Sequence, residues 1–130
     1  MAGLDRLFIQ SATVSGTDAT DDKYAFNPYN FKVRIEEILL APQTSVATHA
    51  SNYITTAISN EGTTIVTHTT NSSGGTALTA GTSALLAATG TGTTLEIAAR
   101  GKIRVQVAKA GTGPAYNHSV LLVCSKIRES

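Results

Sequence analysis

Three histidines, one cysteine and two adjacent glutamates are the side chains of this 130-residue chain best suited to chemistry. His49, His68 and His118 stand apart, without the H-x-x-H or H-E-x-x-H spacing that turns two imidazoles toward one metal. They are expected at solvent-facing strand or loop positions. Cys124 lies in "LLVCSK", where burial would raise its pKa and keep the thiol inert. Glu36 and Glu37 could act as an acid/base couple only if both faced one pocket, and neighbours on a regular strand face opposite ways. Serines are plentiful, but no G-x-S-x-G elbow occurs. Asp18, Asp21 and Asp22 resemble a fragment of a calcium loop, yet the glycine and terminal glutamate at the required spacing are missing. No catalytic, metal-binding or cofactor-binding residue is assigned, and the expectation is a protein that is not an enzyme.

The stretch from Asn71 to Ile97, "NSSGGTALTAGTSALLAATGTGTTLEI", raises the other chemical possibility, a phosphate cradle. A P-loop needs a lysine beside its glycines to neutralise the phosphates. "ATGTGTT" has none, and the next basic residue is Arg100. A dinucleotide fingerprint needs a strand before it and a helix after it, whereas Thr93 to Ile97 reads as a continuing strand. "KAGTGPA" fails likewise, with Pro114 and Ala115 where a phosphate loop has Lys and Ser. These glycines are expected to make turns.

Composition narrows the function classes. A net charge of +1 with 15% charged residues leaves no field to attract nucleic acid or an anionic membrane. The longest apolar runs, such as Ile38 to Ala41, fall far short of the roughly 20 residues a spanning helix needs. Asp5 and Arg6 interrupt the first apolar residues, so nothing at the start resembles a secretory signal. A single cysteine excludes an internal disulfide and fits synthesis in a reducing cytoplasm. A surface rich in hydroxyls and methyls suits contact with other chains, and no small-molecule substrate is expected.

The elements that must carry these residues read as strands. In "FKVRIE" Phe31, Val33 and Ile35 oppose Lys32, Arg34 and Glu36, the period of two of a half-buried strand. Glu37 followed by Ile38-Leu39-Leu40 breaks that period. A β-bulge at Glu36-Glu37 would restore it; a short helix limited by Pro42 is the rival. "NYITTAIS" and "TTIVTHTT" are strands around an Asn60-Glu61-Gly62 turn. In "ALTAGTSALLAAT" Leu85 and Leu86 among alanines could be helical, but the surrounding Thr and Gly favour an irregular strand. "TTLEIAA" predicts a strand burying Leu95 and Ile97, and "KIRVQVAK" a strand burying Ile103, Val105 and Val107. "SVLLVCSKI" is apolar on both faces, so it is central in the fold or buried against another chain. About seven short strands at turn signals every 8–12 residues predict an all-β chain. The expected fold is a single antiparallel β-sandwich, jelly-roll-like or barrel-like, over 31–130. Residues 1–30 are expected as an extended N-terminal arm, because "SGTDATDDK" reads as a polar linker.

"TTLEIAARGKIRVQVAKAGTGPAYNHSVLLVCSK" resembles the C-terminal region of tailed-bacteriophage virion proteins of the head decoration (cement) and head-fibre type. The matching pieces are Ala99 to Lys102, Ile103 to Val107, Lys109 to Ala115 and Val120 to Val123, and the likeness covers roughly residues 50–127. It implies a small β-sandwich, often a homotrimer, on the outer surface of an icosahedral head after synthesis in the host cytoplasm. There it would bridge and stabilise major capsid protein subunits, so its partners would be that protein and itself. Leu7, Phe8, Ile9, Tyr24, Phe26 and Tyr29 are the expected capsid contacts, and Leu121, Val123 and Ile127 the oligomer contacts. Two other classes stay open: a receptor- or carbohydrate-binding fibre module with Tyr53 and Tyr116 as an aromatic platform, and a small hydrolase.

Overall fold

Alternation of apolar and polar residues along the chain produces strands, and their apolar sides meet in one interior. The computed structural model describes residues 6–88 and 92–127. Among them the strands are β1 (Arg6–Gln10), β2 (Val14–Gly16), β3 (Asp21–Phe26), β4 (Val33–Pro42) and β5 (Tyr53–Asn60), followed by β6 (Thr63–Thr69), β7 (Ala84–Leu86), β8 (Glu96–Ile97), β9 (Lys102–Ala110) and β10 (Tyr116–Lys126). Two antiparallel sheets result. The first runs β1-β10-β4-β7, with β2 also on β10 and β8 also on β4; the second runs β3-β9-β5-β6. Their inner faces form one core, which includes Ile38, Leu40, Val120 and Leu122 from the first sheet and Ile54, Ile58, Ile103 and Val105 from the second. The chain is all-β, a β-sandwich.

The register follows from the sequence in most places. Glu61 and Gly62 both take positive φ, 49° and 84°, and close a two-residue hairpin between β5 and β6. That is the turn whose twist matches the strands it joins. In β4, Leu122 of β10 faces Ile38 and Cys124 faces Ile35, so Glu36 and Glu37 together span a single step. The bulge keeps Val33, Ile35, Ile38 and Leu40 all inward, and β4 is extended throughout, which removes the helical alternative. One turn of 3-10 helix occupies Gly92–Leu95, where a strand was expected. Asn60 explains this turn: its side-chain amide donates to the Thr94 and Glu96 carbonyls, at 3.0 and 2.7 Å.

The N-terminal segment differs from an appendage. Over residues 6–26 it supplies three strands of the sandwich itself: β1 and β2 pair with β10, and β3 pairs with β9. Ile9 and Val14 enter the core, at 2% and 0% exposure. The charges of the supposed linker are each bonded. Asp18 accepts hydrogen bonds from Lys109 Nζ and the Gly113 N–H, and Asp22 grips Arg104. Lys23 pairs with Asp21 at 2.7 Å on the inward side of edge strand β3, a placement that discourages pairing with foreign strands.

Removing residues 1–22 therefore strips two strands and two core side chains, each worth on the order of 1.5–3 kcal/mol. It also uncovers the edge of β10. Against a typical total stability of about 5–15 kcal/mol, the truncated chain is expected to lose its cooperative thermal transition and the dispersion of its amide NMR spectrum. A truncated form that melts as sharply as the full chain would show that these strands are dispensable.

Candidate interaction surface

In a two-layer sandwich each sheet buries one face, so the outward side chains define what the molecule can touch. On the first sheet that face is apolar. Leu85 of β7, Leu39 of β4, Leu121 of β10 and Gln10 of β1 lie in one cross-strand row, and Glu37, Val123 and Phe8 lie in the next. Phe8 and Leu85 are 59% and 65% exposed. Leu39 and Leu121 are half-buried between them. Val123 is shielded because the Arg6–Glu37 ion pair, at 3.7 Å, reaches across β10 from the strands on either side. Leu39 and Leu85 were missed in the sequence, although Ile38-Leu39-Leu40 contains the signal: of three consecutive apolar strand residues, one must face out.

The outer face of the second sheet is polar and aromatic. Asp22 and Arg104 form a bidentate pair with contacts of 2.8 and 2.6 Å, and the guanidinium beside Asp22 holds that carboxyl below its usual range. Tyr24 and Phe26 follow on the same side of β3, with ring centroids 6.1 Å apart. Lys102 places its ammonium over the Tyr24 ring at 4.7 Å, a favourable cation–π geometry. Thr55 and Thr69 hydrogen-bond across β5 and β6 at 3.2 Å.

The residues expected to share a capsid contact are dispersed. Leu7 and Ile9 point into the sandwich core, Phe8 lies on the first outer face, and Tyr24 and Phe26 lie on the second. Tyr29 stacks on Phe31 at 5.1 Å and packs against the core. Alternation along β1 and β3 separates neighbours in sequence onto different faces. Of the expected oligomer contacts, Leu121 and Val123 share the first outer face, and Ile127 follows the end of β10 with its N–H donating to the Lys32 carbonyl. Tyr53 and Tyr116 form no joint platform, since Tyr116 is buried and donates its hydroxyl to the Ala19 carbonyl at 2.8 Å.

The groups with chemical potential take structural positions. Burial pushes the Cys124 thiol up to about 12, with Glu36 contributing. Glu36 and Glu37, expected on opposite faces, are both turned outward by the bulge. Glu36 accepts from Ser125 Oγ at 3.0 Å while Glu37 pairs with Arg6, around a shallow groove. Among the described residues no three His, Cys, Asp or Glu side chains converge as a metal-binding group. His49 is exposed, and its Nδ1 accepts the Ser51 and Asn52 N–H groups at 3.0 and 2.8 Å.

His68 and His118 are not solvent-facing. His118 is fully buried, and its Nε2 meets Thr56 Oγ1 at 3.0 Å, joining an inner strand of one sheet to an inner strand of the other. Its Nδ1 is buried without a partner. Burial drives the imidazole down to about 4, and nearby His68 adds to the effect. His68 is likewise lowered by burial; its Nε2 meets Thr76 Oγ1 at 2.9 Å. Compared with known protein families, curated proteins and solved structures, the chain has no match.

Both rings bind protons more weakly in the folded chain than in the unfolded one. Stability is therefore complete above the ordinary histidine pKa of 6.5 and falls as pH drops from there toward 4. His118 alone contributes up to about 3 kcal/mol to that loss. Urea unfolding at neutral pH and at about pH 4.5 should show the difference, and His118→Gln should flatten it. An equally steep pH dependence in the variant would assign the effect to other groups.

Proposed function

We propose that this chain is a structural virion protein, a capsid decoration or cement protein on the outer surface of an icosahedral bacteriophage head. Its partners in this reading are the major capsid protein and further copies of itself in a homotrimer, through which it bridges and stabilises capsid subunits. The observation that carries the reading is the apolar outer face of the first sheet, where Phe8, Leu39, Leu85, Leu121 and Val123 adjoin across four strands. Soluble monomers rarely leave contiguous apolar patches in water, and such patches mark contact sites. The likeness of residues 50–127 to head decoration and head-fibre proteins supplies the kind of partner. The Arg6–Glu37 pair at the margin of the patch gives it both signs of charge, which suits docking in one register.

Purified protein should scatter light as a trimer and co-sediment with heads that lack it. The double variant Phe8→Ser, Leu85→Glu changes exposed side chains only, so its stability should move by no more than about 0.5 kcal/mol per site. Its head binding should fall by about tenfold or more, equivalent to 1.4 kcal/mol. A monomeric mass would overturn the trimer. Undiminished decoration by the double variant would remove this face from the contact.

A further inference from the structure

A protein held through its first sheet presents the second sheet to solvent, and that face carries two adjoining grooves. Two shallow grooves meet at the β5–β6 hairpin, and Glu61 and Lys102 line both. Among the described residues three non-glycine residues adopt positive φ: Asp18, Glu61 and Arg100. The β5–β6 hairpin turn requires it of Glu61, and side-chain hydrogen bonds hold the other two. Asp18 accepts from Lys109 and Gly113, and Arg100 Nη1 donates to the Pro28 carbonyl at 2.7 Å. Glu61 is exposed and, among the described residues, bonds to nothing; Lys102 likewise has no carboxylate partner.

We infer that the groove bounded by Tyr24, Ser59, Glu61, Lys102 and Arg104, with Phe26 beside it, is a binding site for a neutral hexopyranose unit of a surface glycan. The chemistry of each group matches one part of such a sugar. A pyranose has a C–H-rich face and a rim of hydroxyls that both donate and accept. Phe26, 61% exposed at the end of β3 and opposite Lys102, offers the electron-rich ring face on which those C–H groups pack. Glu61 accepts from a pair of adjacent hydroxyls, while Lys102 and the unused N–H groups of Arg104 donate. Arg104 is already fixed by its bidentate pair with Asp22, so little side-chain freedom is lost when it binds. The exposed Glu61 carboxylate and the Lys102 ammonium, which rests over the Tyr24 ring, balance in charge. A uronate or sialylated sugar would meet Glu61, and an amino sugar with a free ammonium would meet Lys102. The shallow, open shape gives weak single-site affinity, and several copies on one particle would multiply it.

The presentation of the site on a particle rests on the decoration reading, sugar binding by the groove does not, and the test separates the two. Saturation-transfer NMR on the full chain uses glucose, galactose and N-acetylglucosamine as neutral probes and glucuronate as the acidic one. Amide shifts are mapped in parallel. At least one neutral sugar should receive saturation through its ring C–H groups and shift amides at 59–62 and 102–104. Phe26→Ala and Glu61→Gln should each weaken binding by about tenfold, with the remaining amide spectrum unchanged and head binding intact. Phe8→Ser, Leu85→Glu should do the reverse. Absence of transfer to every neutral sugar, binding of glucuronate alone, or shifts confined to other strands would overturn the proposal. So would loss of head binding in Phe26→Ala, which would make this face the capsid contact.

Discussion

A two-layer sandwich can cover one face of each sheet and no more. That constraint bears hardest on β10, which is apolar on both sides and paired along both edges, by β1 and β2 on one flank and β4 on the other. Its inward residues Val120, Leu122 and Cys124 are fully buried. Its outward Leu121 lies between Gln10 and Leu39, and Val123 between Phe8 and Glu37, shielded by the Arg6–Glu37 ion pair. The apolar face of the first sheet is thus a direct consequence of how the central strand is written. The chain accepts the cost of exposing it, and contact with another surface recovers that cost.

The same two-layer arrangement explains the buried histidines. An inner strand of each sheet, β10 and β5, is joined to the other across the interior by a hydroxyl–imidazole bond between His118 and Thr56. A polar link of this kind contributes little net stability. It does penalise any slip of one sheet over the other, because a displaced Thr56 would leave a second buried nitrogen unpaired beside Nδ1. The link is also what ties the fold to pH, since the ring can stay there only while neutral.

Local periodicity made β5, β6, β9 and the inner set of β10 legible in the sequence, and the doubled glutamate made the β4 bulge legible too. Three features were not. Residues 15–23 read as a linker because charge density and strand propensity conflict there. Edge strand β3 resolves the conflict, as an edge tolerates charges and Asp22 finds Arg104 across the sheet, 82 positions away. The burial of His68 and His118 depends on which strands pair, information that no single segment holds. The surfaces were legible only in part: Phe8, Leu121, Val123, Tyr24 and Phe26 were all singled out as contact residues. Assigning them to faces required the register, which sends Phe8 to one side of the molecule and Phe26 to the other.

The register also accounts for a chain with 15% charged residues and an abundance of Thr and Ser. Irregular connections leave backbone groups without ladder partners, and short hydroxyls reach them at little entropic cost. Ser11 Oγ accepts the Val120 N–H at 2.8 Å, Thr70 Oγ1 accepts that of Ile54 at 3.0 Å, and Ser45 Oγ accepts that of Ala80 at 2.9 Å. Between Asn71 and Leu86 the connection is further fastened by reciprocal backbone bonds of Val46 and Leu78, two residues that are themselves buried. At Leu78 and Ala80 the glycine-rich stretch is thus pinned to its own fold. Low charge and high hydroxyl content serve one purpose: they satisfy long connections locally, so that the few remaining charged and aromatic side chains can be spent on the outer faces.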